Sequence, residues 1–239
     1  MVSRDWYSGT ALGTESSYSI CYVNAFQTQP DGDGERPDLT SNWPGEVVMT
    51  SMEDPSWPGE FPIDISTPEK RERAAAHVSK MVATCKEKLF AAVEFDNLDS
   101  FTRYAPITKE NTVEYAKLLV KDAHSMGLAV AQKNTLDLIA SGDHTAIGFD
   151  FAVVEECGTY DECAAFRDAY GGKMVAVEYT QKGFDNACAT IGDTSAVVMR
   201  DVPVSMPDSS SCSSSSRYET VRSPVGFPIR VQRFRMRVV

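Results

Sequence analysis

The stretch Ala91-Ala-Val-Glu-Phe-Asp-Asn-Leu-Asp99 constrains this chain more than any other. With Leu89 and Phe90 ahead of it, its first half is an apolar run of strand length. Its second half delivers Glu94, Asp96, Asn97 and Asp99 in quick succession. Side chains alternate along a strand, so Ala92, Glu94 and Asp96 share one face and Val93 and Phe95 the other. A buried strand that ends in carboxylates is how a parallel α/β barrel presents chemistry, at the carboxyl ends of its strands. If Val93 and Phe95 pack against helices, Glu94 and Asp96 point towards the barrel axis. A single acid of this kind is most often an ion-paired structural group. A cluster weighs towards function, because burying unpaired carboxylates is costly.

The same pattern recurs along the chain. Ser19–Ala25 reads as a buried strand ending in Asn24, and Phe61-Pro-Ile-Asp-Ile65 as a short one with Asp64 near its end. Leu128–Asn134 ends in Lys133 and Asn134, Phe149–Glu156 in Glu155 and Glu156, Lys173–Tyr179 in Glu178 and Tyr179, and Thr194–Asp201 in Asp201. Between them lie helical patterns. Thr67 caps one that has Pro68 at its first position and runs to about Lys88, with Ala75, Val78, Met81, Val82 and Cys85 as its inner stripe. A second spans about Glu110 to Ser125, and shorter ones lie near Leu136–Ser141 and Asp161–Tyr170. Repeated βα units of this kind predict an α/β fold, a (β/α)8 TIM-type barrel over residues 1–205. Seven strands are visible where eight are required, and the polar residues 1–18 do not read as a first βα unit, so that unit is expected to be lacking. Residues 206–239, Ser-rich and then Arg-rich, read as a disordered tail.

Net charge is −11, and from Met206 onward six Arg stand against only Asp208 and Glu219, so the body is more acidic than the whole. An acidic body disfavours nucleic acid, whose phosphates need Lys and Arg, and suits a cationic partner. No apolar run approaches the length of a membrane span, and Met1–Tyr7 lacks the apolar core of a signal peptide. Six Cys, at Cys21, Cys85, Cys157, Cys163, Cys188 and Cys212, fit no zinc or redox spacing and read as disulfides of an exported protein. No metal is expected. His77, His124 and His144 are not paired at ligand spacing, and Asp31-Gly-Asp-Gly34 lacks the rest of a calcium loop. The excursion over residues 27–60 carries two Trp-Pro-Gly-Glu segments, at Trp43 and Trp57, which could be sugar platforms or could pin the loop.

These strand ends resemble the fungal form of the endo-α-1,4-polygalactosaminidase family, glycoside hydrolase family 114. The resemblance spans roughly residues 19–201. It rests on Ile20–Ala25, Trp57–Ile65, Val93–Asp99, Gly127–Asn134, Phe149–Cys157 with Tyr160–Cys163, and Val177–Tyr179. It implies an exported TIM barrel that cleaves α-1,4-linked galactosamine polymers, a cationic polysaccharide that would suit the acidic body; the chain is further expected to be a monomer and to need no cofactor. Carried over by motif, the catalytic carboxylates fall on Asp96 and on Glu155 rather than Glu156, with Glu155 as general acid/base and Asp96 as its partner. Asp64, Glu94, Asn97, Lys133, Asn134, Glu156 and Tyr179 are then expected to bind substrate. The chain departs from the family in residues 1–18, at Ser66 where many members place Arg, and in its Ser-rich tail. The alternative is a carbohydrate-binding barrel that lost turnover along with its first strand. A Schiff-base enzyme using Lys133 is a weaker third reading, and a counter-ion role suits that lysine better.

Overall fold

The computed structural model describes residues 1–7, 10–11, 18–31, 40–202, 210–212, 220–222 and 228–230. One curled sheet organises the chain. Its parallel strands are β1 (Val2–Asp5), β2 (Ser19–Asn24), β3 (Ala92–Asp96), β4 (Ala129–Lys133), β5 (Phe151–Glu155), β6 (Met174–Glu178) and β7 (Ala196–Met199), neighbours in space as in sequence. The helices between them are α1 (Pro68–Glu87), α2 (Ser100–Arg103), α3 (Lys109–Ser125), α4 (Leu136–Ala140), α5 (Asp143–Ile147), α6 (Cys157–Tyr160), α7 (Cys163–Tyr170) and α8 (Gln181–Ile191). This is a TIM-like barrel. Among the described residues no ladder joins β1 to the other end, so the sheet is curled rather than closed.

Three expectations are corrected. The first strand is present: Val2–Asp5 pairs in parallel with Ser19–Tyr22. Phe61–Ile65 is not a barrel strand, because β2 pairs directly with β3, Asn24 opposite Asp96. Pro62 and Ile63 instead form isolated bridges to Gln27 and Val48, which clip the long excursion back onto the end of β2. Part of the expected tail belongs to the sheet, since Ser210–Cys212 forms β8, antiparallel to β7. A hairpin of β9 (Thr220–Arg222) and β10 (Pro228–Arg230) follows, and the rest of the expected tail lies outside the described residues.

Alternation along the strands sorts the side chains. Cys21, Val23, Val93, Phe95 and Val130 face outward into a core shared with α1 and α3, which contribute Val78, Val82, Tyr115, Leu119 and Val120. Each large side chain fully buried there stabilises the fold by about 1.5–3 kcal/mol relative to exposure. The inward face is closed by Ile20, Ala92, Ala131, Phe151 and Val153, and Met1 reaches from this cluster to one formed by Val175 and Val198. Helix starts follow the expected chemistry. Thr67 accepts from the Lys70 amide at 3.3 Å, and Thr108 and Asn111 form a reciprocal capping box.

Disulfides join Cys21 to Cys85, Cys157 to Cys163 and Cys188 to Cys212. The first ties β2 to α1, and the last ties β8 to α8. No helix among the described residues is long and apolar enough to cross a membrane.

Candidate active site

Three successive strands end alike: β3 on Asp96, β4 on Lys133 and β5 on Glu155. The residue after each is left-handed, Asn97 at φ 64°, Asn134 at φ 47° and Glu156 at φ 58°. Such backbone is uncommon outside glycine, best tolerated by Asn, and concentrated at functional sites. Two of these turns brace the acids, one at the Asp96 carboxylate and one at the Glu155 backbone. The Asn97 amide donates to Asp96 Oδ1 at 2.8 Å, and Asn134 Oδ1 accepts from the Glu155 amide at 2.7 Å.

The inward side chains of the three strands meet at Lys133. Its Nζ lies 3.3 Å from Asp96 Oδ1 and 3.7 Å from Glu155 Oε2, and 5.6 Å from the centre of the Tyr22 ring. The Tyr22 hydroxyl donates to Asp96 Oδ2 at 2.7 Å, and the Tyr179 hydroxyl donates to Glu155 Oε1 at 2.5 Å. Glu155 is the more open of the two acids, with 34% of its side chain exposed against 20% for Asp96.

Electrostatics give these groups different states. Burial alone would raise the Asp96 pKa, but Lys133, Tyr22 and the Asn97 amide outweigh it and hold the carboxyl below its ordinary value. Burial likewise opposes the charge on Lys133, yet Asp96, Glu155 and Glu94 raise its pKa overall. The carboxylates around Lys133 favour its ammonium form, which suits the counter-ion role better than the Schiff-base one. Burial pushes Glu94 up to about 7, against the pull of Lys133 and a 2.8 Å hydrogen bond from Ser3 Oγ. Only 4% exposed, Glu94 lies beneath the site, and its Oε2 has no hydrogen-bond partner among the described residues.

The other residues singled out in the sequence fall into distinct places. Asn97 is at the mouth, where its Nδ2 donates to Asn24 Oδ1 at 2.9 Å and its Oδ1 accepts from Arg103 at 2.7 Å. Glu156 caps α6, close enough to oppose ionisation of both Tyr179 and Glu178. Asp64 is not drawn into the cluster; its carboxylate holds Ser66 and Lys70 at the start of α1. Glu178 points outward, fully buried, and accepts from the Gly158 amide at 2.6 Å.

Ser3, Tyr22 and Glu60 were not picked out as site residues in the sequence, and Asn24 was read only as the polar end of its strand. Ser3 belongs to a strand too short and polar to read. Tyr22 and Asn24 share the inward parity of Ile20, a signal that was available. Glu60 closes a Trp-Pro-Gly-Glu segment and accepts from Asn24 Nδ2 at 3.1 Å; burial and the charge of Asp96 push it up to about 7. The two tryptophans separate. Trp43, 4% exposed, stacks on His77 with ring centres 4.3 Å apart and pins the loop, whereas Trp57 is 59% exposed. The group of side chains at metal-ligand spacing, Cys157, Cys163 and Glu178, offers no thiolate because both sulfurs are in a disulfide.

A family model described as glycoside-hydrolase family GH114 matches residues 3–219. No curated protein matches. Among solved structures, Aspergillus fumigatus Ega3 in complex with galactosamine aligns at TM-score 0.65 and 16% identity, over 84% of this chain and 90% of that one. The glycoside hydrolase domain of PelA from Pseudomonas aeruginosa aligns at TM-score 0.50 and 15% identity, over 78% of this chain and 79% of that one. At these identities the likeness is one of fold.

Proposed function

The chain belongs to glycoside-hydrolase family GH114 and is a glycosidase; we propose that it cleaves α-1,4-linked galactosamine-containing polysaccharide outside the cell with Asp96 and Glu155 as its carboxylate pair. The observation that carries this reading is the bridging of both acids by one buried ammonium, Lys133, at 3.3 and 3.7 Å. Glycoside hydrolysis needs two carboxyl groups flanking one bond, one to protonate the leaving oxygen and one to attack or to activate water. Asp96, kept ionised by Lys133 and Tyr22, suits the second task and the stabilisation of a cationic sugar transition state. Glu155, more open and oriented by Tyr179, suits protonation of the leaving oxygen and its later reversal.

Galactosamine as substrate is supported by the ligand in the Ega3 structure and by the net charge of −11, which attracts a cationic polymer. Asn97 and Tyr179 line the mouth and would meet the sugar, as would Glu60 and Glu156. Lys133, Glu94 and Asn134 act from behind, by charge and by bracing. Three disulfides suit an oxidising compartment. The binding-only alternative rested on a missing first strand, and Val2–Asp5 occupies that place.

The test is reducing-end release from a deacetylated α-1,4-galactosamine polymer, with Glu155→Gln and Asp96→Asn as controls. Release that persists at the native rate in either variant would remove that residue from the mechanism. No release by a folded native sample would reject the substrate.

A further inference from the structure

The turn that follows β3 carries one of the hydrogen bonds on Asp96. Asn97, left-handed at φ 64°, donates its backbone amide to Asp96 Oδ1 at 2.8 Å. Backbone of this kind persists only where the surroundings over-determine it. At Asn134 the side-chain oxygen itself braces the neighbouring acid, by accepting from the Glu155 amide. At Asn97 the backbone amide does the bracing, and the side chain serves as a handle on the turn.

α2 grips that handle. Its first residue, Ser100, donates through its backbone amide and its Oγ to the Asn97 carbonyl, at 3.0 and 2.8 Å. Its last, Arg103, donates through Nη2 to Asn97 Oδ1 at 2.7 Å. The same Nη2 reaches Gln27 Oε1 at 2.7 Å, and Nη1 pairs with Asp99 Oδ2 at 3.3 Å, so three partners orient the guanidinium. From the other side Asn24 Oδ1, at the end of β2, accepts from Asn97 Nδ2 at 2.9 Å. The Asn97 carboxamide is therefore held at both ends. Asn24 is buried, whereas 36% of the Arg103 side chain is exposed, so water competes mainly for the Arg103 grip. Around Asp96 itself stand Lys133 from β4, Tyr22 from β2, Glu94 from its own strand, Asp99 ahead of α2 and Glu60 from the excursion. Lys133 and Tyr22 hold its carboxylate directly; Arg103 works on the amide beside it.

We propose that Arg103 is a positioning residue for Asp96, fixing the left-handed turn at Asn97 so that its amide stays on Asp96 Oδ1. The inference rests on the assignment of Asp96 to the carboxylate pair and adds to it a residue from the far end of the next helix. The role needs the planar fork of the guanidinium, because one nitrogen serves two amide oxygens while the other serves a carboxylate.

Arg103→Met and Arg103→Lys test this, read by the carboxyl carbon-13 titration of Asp96 and by the pH profile of kcat/KM. Both variants are expected to raise the Asp96 midpoint by about one pH unit and to lower kcat about tenfold. Arg103→Lys keeps the charge, so a shift shared by the two variants comes from the lost grip. Asn97→Gly supplies the background that isolates the route, since glycine takes a φ of this sign without a handle. In that background Arg103→Met should move neither the midpoint nor the rate from the background's own values. The proposal is overturned if Arg103→Lys titrates as the native chain does, or if Arg103→Met has the same effect with and without Asn97→Gly. The titration needs no turnover, which keeps the two claims apart. A midpoint that moves while the acid limb of kcat/KM stays in place supports the positioning role and removes Asp96 from the catalytic pair. Hydrolysis by the native chain with an unmoved midpoint in both variants sinks the positioning role alone.

Discussion

Lys133 Nζ lies 3.3 Å from Asp96 Oδ1 with 7% of the lysine side chain exposed, so the ammonium that keeps Asp96 ionised is itself shielded from water. A buried pair stripped of one partner leaves the other charge uncompensated, which typically costs 3–5 kcal/mol, about the range expected for Lys133→Met near neutral pH. Asp96 has a depressed pKa in the folded state, so its contribution to stability is present above the unfolded pKa of about 4 and is lost as pH falls through the folded value. The gap between native chain and variant should therefore narrow in acid. Activity should drop by about 100-fold or more, and the acid limb of kcat/KM should move to higher pH as Asp96 loses its counter-ion. A pH–rate profile with an unmoved acid limb would show that Asp96 is not the group being titrated.

Glu94 gives the opposite pH dependence. Its folded pKa is raised to about 7, so the folded state holds a proton that the unfolded chain releases above about 4.5. Stability from this group is full below the unfolded value and declines as pH rises to about 7, by roughly 3 kcal/mol in all. Glu94→Gln keeps an acceptor for Ser3 Oγ and removes the ionisation. Denaturant melts at pH 5 and pH 8 should show the variant gaining on the native chain at the higher pH. Equal differences at both values would mean that Glu94 is ionised throughout.

The inner and outer faces of β3 were legible because an apolar run with period-two alternation leaves little choice of register. The shared polarity of the strand ends put Asp96, Lys133 and the Glu155–Glu156 pair at one end of the sheet, and it was the resemblance to the family, not the alternation, that singled out Glu155 over Glu156. The first strand was not legible because Ser3, Arg4 and Asp5 are all polar. Its reason for being polar is visible only in three dimensions, where Ser3 faces the Glu94 carboxylate. Phe61–Ile65 has the apolar content of a strand, but Pro62 lacks a ladder donor and the segment pairs with its own loop. Glu178 ends its strand as Glu155 does, yet lies on the parity of Met174 and Ala176, which face the helices. Six cysteines announced disulfides, but their connectivity needed the fold.

The Cys21–Cys85 bridge closes a loop of 64 residues that includes the whole excursion before α1. A cross-link of that span restricts the unfolded chain by about 4 kcal/mol. The Cys21→Ala, Cys85→Ala double variant should lose stability of that order, with both positions buried in the core and neither thiol left free. The six-residue separation of Cys157 and Cys163 restricts the unfolded chain far less, so its removal should cost less in equilibrium unfolding. Reversing that order would place the main effect of the disulfides in the native state.

At Gly158 α6 lies directly against the backbone of α8, and the reason bears on the site. A Cβ added there would stand 2.1 Å from the Gly183 carbonyl oxygen and 2.7 Å from the Ala187 amide, both backbone atoms that cannot step aside. Its own amide donates to Glu178 Oε1, and Thr159 Oγ1 donates to the other oxygen at 3.2 Å, so α6 satisfies the buried carboxylate from a position wedged between β6 and α8. Burial raises the Glu178 pKa in spite of these donors, which marks how little else compensates the charge. Gly158→Ala must part α6 from α8 and cost packing of the order of 1–3 kcal/mol, and any displacement of α6 weakens its hydrogen bonds to Glu178 as well. Tyr179 follows Glu178 directly and holds Glu155, so a shift here should also lower kcat and weaken substrate binding. Thermal melting and steady-state kinetics of Gly158→Ala read the two effects separately. A variant as stable as the native chain would show that the α6–α8 contact relaxes freely and does not set the position of Tyr179.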